Sequence, residues 1–195
     1  KYSMKPHKIA VILVNYNNPI DTKNAIKSIE NRVRKGYDVK IFVINNGCND
    51  GESDLLDIDC PNIVLINSPK NLGFGGGNNL AAKLAIYQKY EYLLFLNNDA
   101  EIITEDFFSK IIESPYSITA PVLESKINSK EVLDFGGKVD WVFGRNTHLT
   151  NHGNAEYYSG ACLFMKSEVF TNLSGFDEKF FLYYEDTDFC LRASS

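Results

Sequence analysis

Residues 8–17 read KIAVILVNYN, and this stretch decides the fold. Its first part, residues 8–14, is almost continuously apolar, which is typical of a strand buried on both faces of a parallel sheet. The apolar run stops at Asn15, Tyr16 and Asn17. A buried strand followed at once by polar residues predicts the start of an α/β fold, with a binding edge at the carboxyl end of the strand.

The same pattern continues outward through the first hundred residues. Apolar runs of strand length recur three times, at 39–44, 63–66 and 92–96. Between the strands, two segments have apolar residues at helical spacing: one capped by Asp21 or Thr22 and ended by Gly36, and one over 79–88. Alternating strands and helices imply a mostly parallel sheet with right-handed crossovers, in which ligands bind beyond the carboxyl ends of the strands.

Polar residues follow each of these four strands. In strand order they are Asn15-Tyr16-Asn17, Asn45-Asn46-Gly47, Lys70-Asn71-Leu72-Gly73 and Asn97-Asn98-Asp99. Because the carboxyl ends of parallel strands meet at one edge of a sheet, we expect all four groups to gather there.

The second half predicts shorter and less regular elements. Helices are expected at 105–112, 167–173 and 185–192, and strands at 118–123, 131–135 and 158–165. The polar stretch 144–156 contains His148 and His152 and predicts a mobile loop.

Composition excludes several classes of function. The 195 residues, 44% hydrophobic and 23% charged, are enough for one globular core. A net charge of −5 offers no basic surface for nucleic acid. No apolar run is long enough to span a bilayer, and residues 1–8 are too short and polar for a signal peptide. The cysteines lack metal-ligand spacing and are expected as free thiols in a reducing compartment: Cys48, Cys60, Cys162 and Cys190.

Two polar clusters in the first half have the composition of a chemical site. Asn97-Asn98-Asp99 ends a strand with a carboxylate that can hold a divalent cation against a diphosphate, although the same residues suit a plain turn. The glycine run 73–77 with Asn78 and Asn79 precedes a helix, where backbone N–H groups can approach an anion; the alternative is a flexible turn. Asn78 stands where the dinucleotide fingerprint needs its last glycine, so that fingerprint is weak.

The third cluster is GFDEKFFLYYEDTD at 175–188, in which acids alternate with aromatic rings. Glu185 and Asp186 would begin a helix, where the helix dipole favours negative charge. Aromatic neighbours desolvate a carboxylate and raise its pKa, which suits a general base. The alternative is that these acids cap a helix over an aromatic core, with Asp188 and Arg192 as a structural i,i+4 ion pair.

Taken together, the chain resembles the family 2 glycosyltransferases, and in particular the rhamnosyl- and galactofuranosyl-type branch that builds bacterial surface polysaccharides. The resemblance covers nearly the whole chain. Six segments carry it: VILVNYNNP (11–19), VINNGCNDG (43–51), NLGFGGGNN (71–79), YLLFLNNDAEI (92–102), YYSGACLFMKSEVF (157–170) and GFDEKFFLYYEDTDFCLR (175–192). It implies the GT-A fold, an α/β fold with a Rossmann-like, mostly parallel central sheet flanked by helices and a small antiparallel portion on the acceptor side.

The resemblance also implies a role for each matching residue. Asp99 stands where the family carries its metal-binding DxD motif and would hold Mg²⁺ or Mn²⁺. Asp186, beside Glu185, stands at the place of the catalytic base. The nucleotide-binding residues would be Asn15, Tyr16, Asn45, Asn71, Gly73, Asn78 and Asn98. The residues supporting the acceptor side would be Asp177, Asp188 and Arg192.

Two positions depart from the family pattern. The family has Asp at position 45, where Asn45 offers a pyrimidine an uncharged amide oxygen, and the first acid of the DxD motif is Asn97 here. One carboxylate would then hold the metal, with phosphate oxygens and water as the other ligands. We expect inverting transfer from a UDP- or dTDP-sugar to a saccharide or lipid-linked saccharide. The alternative is a degenerate nucleotide-binding or scaffolding protein on the same fold.

The expected organisation is one GT-A catalytic domain over residues 1–195. Residues 1–100 would form the nucleotide-binding half and residues 101–195 the acceptor-side half, truncated at its C-terminus, since the family continues beyond the base motif. We expect a cytoplasmic protein, at the inner face of the membrane where the missing C-terminal region attaches it. A sugar-nucleotide pyrophosphorylase or a dehydrogenase is disfavoured, because Asn15-Tyr16-Asn17 stands in place of their glycine-rich loops.

Overall fold

A computed structural model describes residues 5–47 and 60–194. The predicted free thiol of Cys48 and the end of the 43–51 segment lie outside these ranges. Within them the strands are β1 (His7–Asn15), β2 (Tyr37–Asn46), β3 (Ile63–Ser68), β4 (Tyr92–Leu96), β5 (Ile118–Thr119), β6 (Leu123–Ile127), β7 (Lys130–Asp134), β8 (Gly137–Asp140), β9 (Arg145–His148) and β10 (Cys162–Lys166). The helices are α1 (Pro19–Glu30), α2 (Gly73–Tyr87), α3 (Phe107–Ile112), α4 (Ser167–Asn172) and α5 (Glu185–Ala193).

A six-stranded sheet forms the centre, in the order β3-β2-β1-β4-β10-β5. Strand β1 pairs in parallel with β2 and β4, and β2 pairs in parallel with β3. Strand β10 runs antiparallel to both β4 and β5. The predicted mostly parallel sheet with a small antiparallel portion is therefore confirmed. The carboxyl ends of β1 to β4 share one edge with the amino end of β10.

Strand β1 is buried on both faces, as its apolar run predicts. Ile9, Val11 and Leu13 pack into a layer with residues of α1 and α3, whereas Ala10 and Ile12 pack into the opposite layer with residues of α2. This alternation follows from the two-residue period of a strand. Burying each large aliphatic side chain contributes about 1.5–3 kcal/mol to stability. Burial on both faces therefore holds β1 in place, and with it the carboxyl edge of the sheet.

Helix α1 begins and ends earlier than the sequence suggested. It starts at Pro19, whose fixed φ and missing N–H suit the first helical position. Asn18 caps it by accepting from the backbone N–H of Asp21, so the prediction of Asp21 or Thr22 as the cap is wrong. The prediction that Gly36 ends this helix is also wrong, because Gly36 lies in the turn before β2 with a φ of +107°.

Two antiparallel hairpins, β6–β7 and β8–β9, lie in the chain between β5 and β10. Residues 145–148 form β9, so the prediction of a loop over 144–156 is wrong for these residues. The cross-strand partners that satisfy their backbone groups come from β8, a strand that was not predicted from the sequence. Among the described helices, none is long and apolar enough to cross a bilayer.

Candidate functional site

An asparagine ladder, formed by Asn15, Asn45 and Asn67, lies at the carboxyl edge of β1, β2 and β3. The three residues occupy matching register positions in neighbouring strands. Nδ2 of Asn15 donates to Oδ1 of Asn45 at 3.1 Å, and Nδ2 of Asn45 donates to Oδ1 of Asn67 at 3.2 Å. Asn15 and Asn45 are buried. This edge is therefore a preformed row of amides.

A backbone group fixes the direction of the asparagine ladder. The N–H of Asn18 donates to Oδ1 of Asn15 at 3.2 Å, and a backbone N–H can act only as a donor. The NH2 group of Asn15 must then face Asn45, which removes the usual ambiguity between amide oxygen and nitrogen. Because an amide oxygen has two lone pairs, Oδ1 of Asn45 has the capacity for one hydrogen bond beyond the one from Asn15.

Thr22 and Asn98 extend this network to the end of β4. The Thr22 hydroxyl lies 3.0 Å from Oδ1 of Asn15 and 2.8 Å from the carbonyl oxygen of Asn18. Nδ2 of Asn98 donates to the Thr22 hydroxyl oxygen at 3.0 Å. Asn98 therefore ties the end of β4 to the start of α1. Tyr16, in contrast, is 52% exposed beside the ladder.

The glycine run packs closely instead of forming an open loop. Gly73 begins α2 with a φ of +72°, and a Cβ added there would collide with the carbonyl oxygen of Phe181. That same oxygen accepts from the N–H of Phe74 at 3.0 Å. On the other side, a Cβ on Gly77 would lie 3.2 Å from Val14 of β1. The helix predicted over 79–88 thus starts at the first glycine, and the flexible-turn alternative is wrong.

Asn46 holds the loop that contains Asn71 and the first residue of α2, Gly73. Nδ2 of Asn46 donates to Oδ1 of Asn71 at 3.0 Å and to the carbonyl oxygen of Gly73 at 3.1 Å. Oδ1 of Asn46 accepts from the N–H of Leu72 at 2.9 Å. The loop is thereby fixed to the end of β2, so its position is set before any ligand binds.

Asn78 and Asn79 are both buried in α2. The Asn78 amide donates to the carbonyl oxygen of Phe74 within the same helix at 3.0 Å. Nδ2 of Asn79 donates to the carbonyl oxygen of Phe176 at 2.9 Å, and Oδ1 of Asn79 accepts from the backbone N–H of Phe176 at 3.0 Å. Asn79 therefore anchors the 175–178 segment to α2, a structural role that the sequence did not reveal.

Asp99 is exposed in the turn that follows β4. Within the described residues its carboxylate makes no hydrogen bond or ion pair. The described part of the chain also contains no group of three His, Cys, Asp or Glu residues able to hold a metal. A single unpaired carboxylate fits Mg²⁺ or Mn²⁺ whose other ligands are phosphate oxygens and water, and does not fit a metal held by protein alone.

Asp186 lies at the start of α5, beside the first residues of β10. Oδ2 of Asp186 accepts from the N–H of Gly160 at 2.8 Å, and Oδ1 accepts from the N–H of Thr187 at 2.7 Å. A Cβ on Gly160 would lie 3.2 Å from the Cβ of Asp186, so glycine permits this close approach. The Thr187 hydroxyl in turn accepts from Nδ2 of Asn146 at 2.9 Å, which joins β9 to the same carboxylate.

Asp99 and Asp186 lie at the same edge of the sheet. Strands β4 and β10 are neighbours, and the N–H of Asn97 donates to the carbonyl oxygen of Ala161 at 2.9 Å. The N–H of Gly160, the residue before Ala161, is bonded to the Asp186 carboxylate. A short hydrogen-bonded path therefore connects the strand end that carries Asp99 with Asp186, although the two acids are far apart in sequence.

Glu185 differs from Asp186 because it is buried. Its exposed fraction is 5%, and Oε2 has no hydrogen-bond partner among the described residues. Burial raises the pKa of the Glu185 carboxyl; a bond to its own backbone N–H lowers it, and the charge of Asp186 raises it. Tyr183 and Tyr184, just before it, have φ values of +70° and +71°, which non-glycine residues rarely adopt. Strain and an unsatisfied acid thus adjoin Asp186.

A polar cluster on the hairpin side of Asp186 was not predicted. Tyr157 is buried, and its hydroxyl finds no partner within the residues that the structure describes. Burial raises the pKa of Tyr157 to about 12, and the charges of Asp134 and Asp186 add to this effect. Nδ1 of His148 lies 3.0 Å from Oδ2 of Asp134. His148 is therefore held in place on β9, beside this cluster.

Arg192 joins α5 to the end of α4. Nε and Nη2 contact Oδ2 of Asp188 at 2.8 and 2.7 Å. Nη1 and Nη2 also donate to the carbonyl oxygens of Leu173 and Gly175, at 2.5 and 3.0 Å. Arg192 and Asp177 line an open cavity of about 470 Å³, whose lining includes neither Asp99 nor Asp186. These contacts support the alternative in which Asp188 and Arg192 form a structural i,i+4 ion pair.

Several residues of this edge were not predicted from the sequence. Asn67 follows the apolar run 63–66 as directly as Asn45 follows its own strand, so the same rule would have found it. Thr22 and Gly160 carry no local signal, because their partners Asn98 and Asp186 are 76 and 26 residues away.

Comparisons with known proteins cover most of the chain. Residues 10–173 match the family model described as "Glycosyl transferase family 2". The low-salt glycan biosynthesis hexosyltransferase Agl10 of Haloferax volcanii is 29% identical over an alignment of 199 residues, which covers 95% of this chain and 61% of Agl10. The rhamnosyltransferase WbbL of Escherichia coli is 26% identical over an alignment of 144 residues, which covers 63% of this chain and 54% of WbbL. The chain therefore spans between half and two thirds of the length of these relatives.

A solved structure has the same fold. GalNAc-T7, determined with UDP, GalNAc and Mn²⁺, superposes with a TM-score of 0.77 at 14% identity, over 98% of this chain and 41% of GalNAc-T7. At that identity the likeness concerns the fold alone. The GT-A fold expected from the sequence is confirmed.

Proposed function

The chain belongs to glycosyl transferase family 2, and from that premise we propose that it transfers a sugar from a nucleotide diphosphate to a saccharide acceptor. The donor is a UDP- or dTDP-sugar, the reaction inverts the anomeric carbon, and the product is a bacterial surface polysaccharide. One observation carries the proposal: the asparagine ladder, Asp99 and Asp186 share the edge at which parallel α/β sheets bind ligands. The nucleotide half comprises residues 1–100 and the acceptor half residues 101–195.

The base and ribose of the donor bind at the asparagine ladder. The free lone pair of the Asn45 amide oxygen suits an N–H of a pyrimidine, and the exposed ring of Tyr16 offers a stacking face. Asn71, Gly73 and Asn98 support this pocket by fixing its loops, and Asn78 supports it from within α2, where its amide bonds to the carbonyl oxygen of Phe74. Because the amides are already oriented, binding requires little reorganisation of this edge.

The diphosphate binds beside Asp99. Mg²⁺ or Mn²⁺ held there would supply the positive charge that stabilises the departing nucleoside diphosphate. The exposure of Asp99 supports this role, because its carboxylate has no described bond to break before it binds a cation. The Mn²⁺ in the GalNAc-T7 structure supports a divalent ion on this fold.

Asp186 is the general base. Its carboxylate takes the proton of an acceptor hydroxyl, whose oxygen bonds to the anomeric carbon as the bond to the diphosphate breaks on the opposite face. The N–H groups of Gly160 and Thr187 hold the carboxylate in one orientation. Buried Glu185 supports Asp186 from within α5. The ion pair of Asp188 and Arg192, with Asp177 nearby, supports the acceptor side by joining α4 to α5.

A second candidate function is nucleotide binding without transfer. Two positions favour it, because Asn97 and Asn45 stand where the family carries acids. One carboxylate would bind a metal more weakly than two. Such a protein would still bind a nucleotide diphosphate at the same edge, and it would serve as a scaffold in a polysaccharide assembly.

Thermal unfolding with UDP, dTDP and GDP, each with and without Mn²⁺, tests the donor site. A ligand at 100 times its Kd stabilises the folded state by about 2.7 kcal/mol. We expect stabilisation by UDP or dTDP that requires Mn²⁺ and is lost in Asp99→Asn. Asp106→Asn is the matched control, since Asp106 pairs with Lys110 at the surface. If the nucleotide stabilised the protein equally without Mn²⁺, the metal role of Asp99 would be contradicted. A separate assay for transfer of labelled sugar distinguishes an enzyme from a protein that only binds nucleotide.

A further inference from the structure

The tip of the β8–β9 hairpin presents three large apolar side chains to solvent. Trp141, Val142 and Phe143 are 71%, 85% and 71% exposed. We call these three residues the apolar tip. By comparison, most large apolar side chains of the central sheet are buried. A contiguous exposed group of this kind marks an interaction site.

The apolar tip is held in one shape by the turn beneath it. Oδ1 of Asp140 accepts from the N–H groups of Val142 and Phe143 at 2.9 and 3.1 Å, and its carbonyl oxygen accepts from the N–H of Gly144 at 2.7 Å. The Arg145 guanidinium lies 6.0 Å from the Phe143 ring centre. The three side chains are thus displayed on an ordered turn, so that contact with a partner costs little additional ordering.

The chemistry of this hairpin suits the interface between lipid and water. Tryptophan and phenylalanine at a tip, with the cations Lys138 and Arg145 behind them, have the composition that anchors proteins at the headgroup level. Asp140 is the only acid between residues 137 and 148, and backbone N–H groups bind its carboxylate. A convex tip of three residues is far smaller than a stable protein–protein interface, which needs about 800 Å² on each partner.

We propose that the apolar tip inserts into the surface of a lipid bilayer. The hairpin also connects this surface to the proposed base: Asn146 lies one residue pair from the turn, and its amide donates to Thr187, which is bonded to Asp186. Insertion of the tip would hold the Asp186 side of the protein at the membrane. Given the proposed function, the acceptor is then a saccharide linked to a membrane lipid.

Intrinsic fluorescence tests this directly, because Trp141 is the only tryptophan of the chain. With phosphatidylcholine vesicles we expect a blue shift of its emission, quenching by bromine-labelled acyl chains, and sedimentation of the protein with the vesicles. The double variant Val142→Asp, Phe143→Ser should bind vesicles about tenfold more weakly or worse, since it removes two buried apolar side chains. Tyr116→Ser is the matched control, since Tyr116 is 76% exposed outside the hairpin.

Two results would overturn the proposal. The first is a Trp141 emission that vesicles leave unchanged, and the second is vesicle binding by the double variant equal to that of the unaltered chain. A blue shift that grows with protein concentration in the absence of lipid would instead assign the tip to a second copy of the chain. Vesicle binding does not depend on the donor site. If the protein bound vesicles but no nucleotide diphosphate, the proposed function would be rejected and the membrane proposal would stand.

Discussion

The two sides of the proposed site are built in opposite ways. On the ladder side, the buried amide of Asn15 is bonded at both its oxygen and its nitrogen. On the Asp186 side, Oε2 of Glu185 and the hydroxyl of Tyr157 are buried without a partner among the described residues. Tyr183 and Tyr184 there hold positive φ values. The ladder side has its amides bonded to one another before a ligand binds, whereas the Asp186 side retains unsatisfied buried groups and two tyrosines at positive φ.

Because of this difference, the ladder side should contribute mainly to stability and the Asp186 side mainly to reactivity. A bonded amide row needs no rearrangement to recognise a base, so its residues contribute to folding as well as to binding. Residues in sparsely populated φ regions cost about 1–3 kcal/mol each and cluster at reacting positions. We therefore expect substitutions on the ladder side to lower the free energy of unfolding, and substitutions at Asp186 to lower transfer.

The largest effect is expected for Asp186→Asn. The amide cannot take a proton from the acceptor, so kcat should fall about 10³-fold, whereas the affinity for the nucleotide diphosphate with Mn²⁺ should stay unchanged. An amide has one acceptor oxygen where the carboxylate has two, so the variant keeps only one of the bonds from the N–H groups of Gly160 and Thr187. Its unfolding free energy should therefore change by about 1 kcal/mol at most. Single-turnover transfer assays measure the rate, and titration calorimetry measures the affinity.

The matched control for this variant is Asp38→Asn, which makes the same change at an exposed position near the amino end of β2. It should keep full activity. Transfer by Asp186→Asn at the rate of the unaltered chain would remove Asp186 from the mechanism and erase the contrast between the two sides.

The next largest effect is expected for Gly73→Ala. A methyl group there would collide with the carbonyl oxygen of Phe181, at a φ that only glycine adopts without strain. We expect a loss of about 3 kcal/mol in unfolding free energy, measured by urea denaturation. Gly36→Ala is the control, since Gly36 also has a positive φ but has no atom near the added Cβ. It should cost about 1 kcal/mol from the backbone alone. Equal losses would mean that close packing at Gly73 is unimportant.

The sequence predicted the parts of the fold that depend on local patterns. The apolar run before Asn15 predicted a doubly buried strand, and the order of strands and helices predicted a mostly parallel sheet. The short strand β8 was missed because its four residues, Gly137–Asp140, show no period that separates them from a turn. The helix start at Gly73 was missed because glycine disfavours helices, and it depends on tertiary contacts with Asn46 and Phe181.

The site was predictable only in part, for the same reason. Polar residues after strands identify which side chains reach the edge, because the topology brings strand ends together. They do not identify which amides bond to one another, so the locking of Asn71 by Asn46 could not be foreseen. The exposure of Asp99 and the burial of Glu185 are also tertiary properties, since both are acids beside a strand or helix end in the sequence.

A smaller effect is expected for Asn15→Ala. The change leaves Oδ1 of buried Asn45 and the N–H of half-buried Asn18 without their partner. We expect a loss of about 2 kcal/mol in unfolding free energy. Asn67→Ala is the control at the exposed end of the ladder, where one hydrogen bond is lost, and it should cost about 1 kcal/mol or less. If Asn67→Ala cost as much as Asn15→Ala, the ladder would not be a network anchored at Asn18.

The smallest effect concerns the pH dependence contributed by Glu185. Burial raises the pKa of this carboxyl in the folded protein, so the folded state holds the proton to higher pH than the unfolded chain does. Its contribution to stability is therefore complete below the unfolded pKa and is lost as the pH rises through the folded value. Glu185→Gln cannot ionise, so its stability relative to the unaltered chain should increase over that rise and then level off. Urea denaturation across the acidic to neutral range measures this difference, and Glu168→Gln, on exposed Glu168, is the control. A flat difference would mean that Glu185 is ionised without penalty in the folded protein, and the unsatisfied acid would no longer distinguish the Asp186 side from the asparagine ladder.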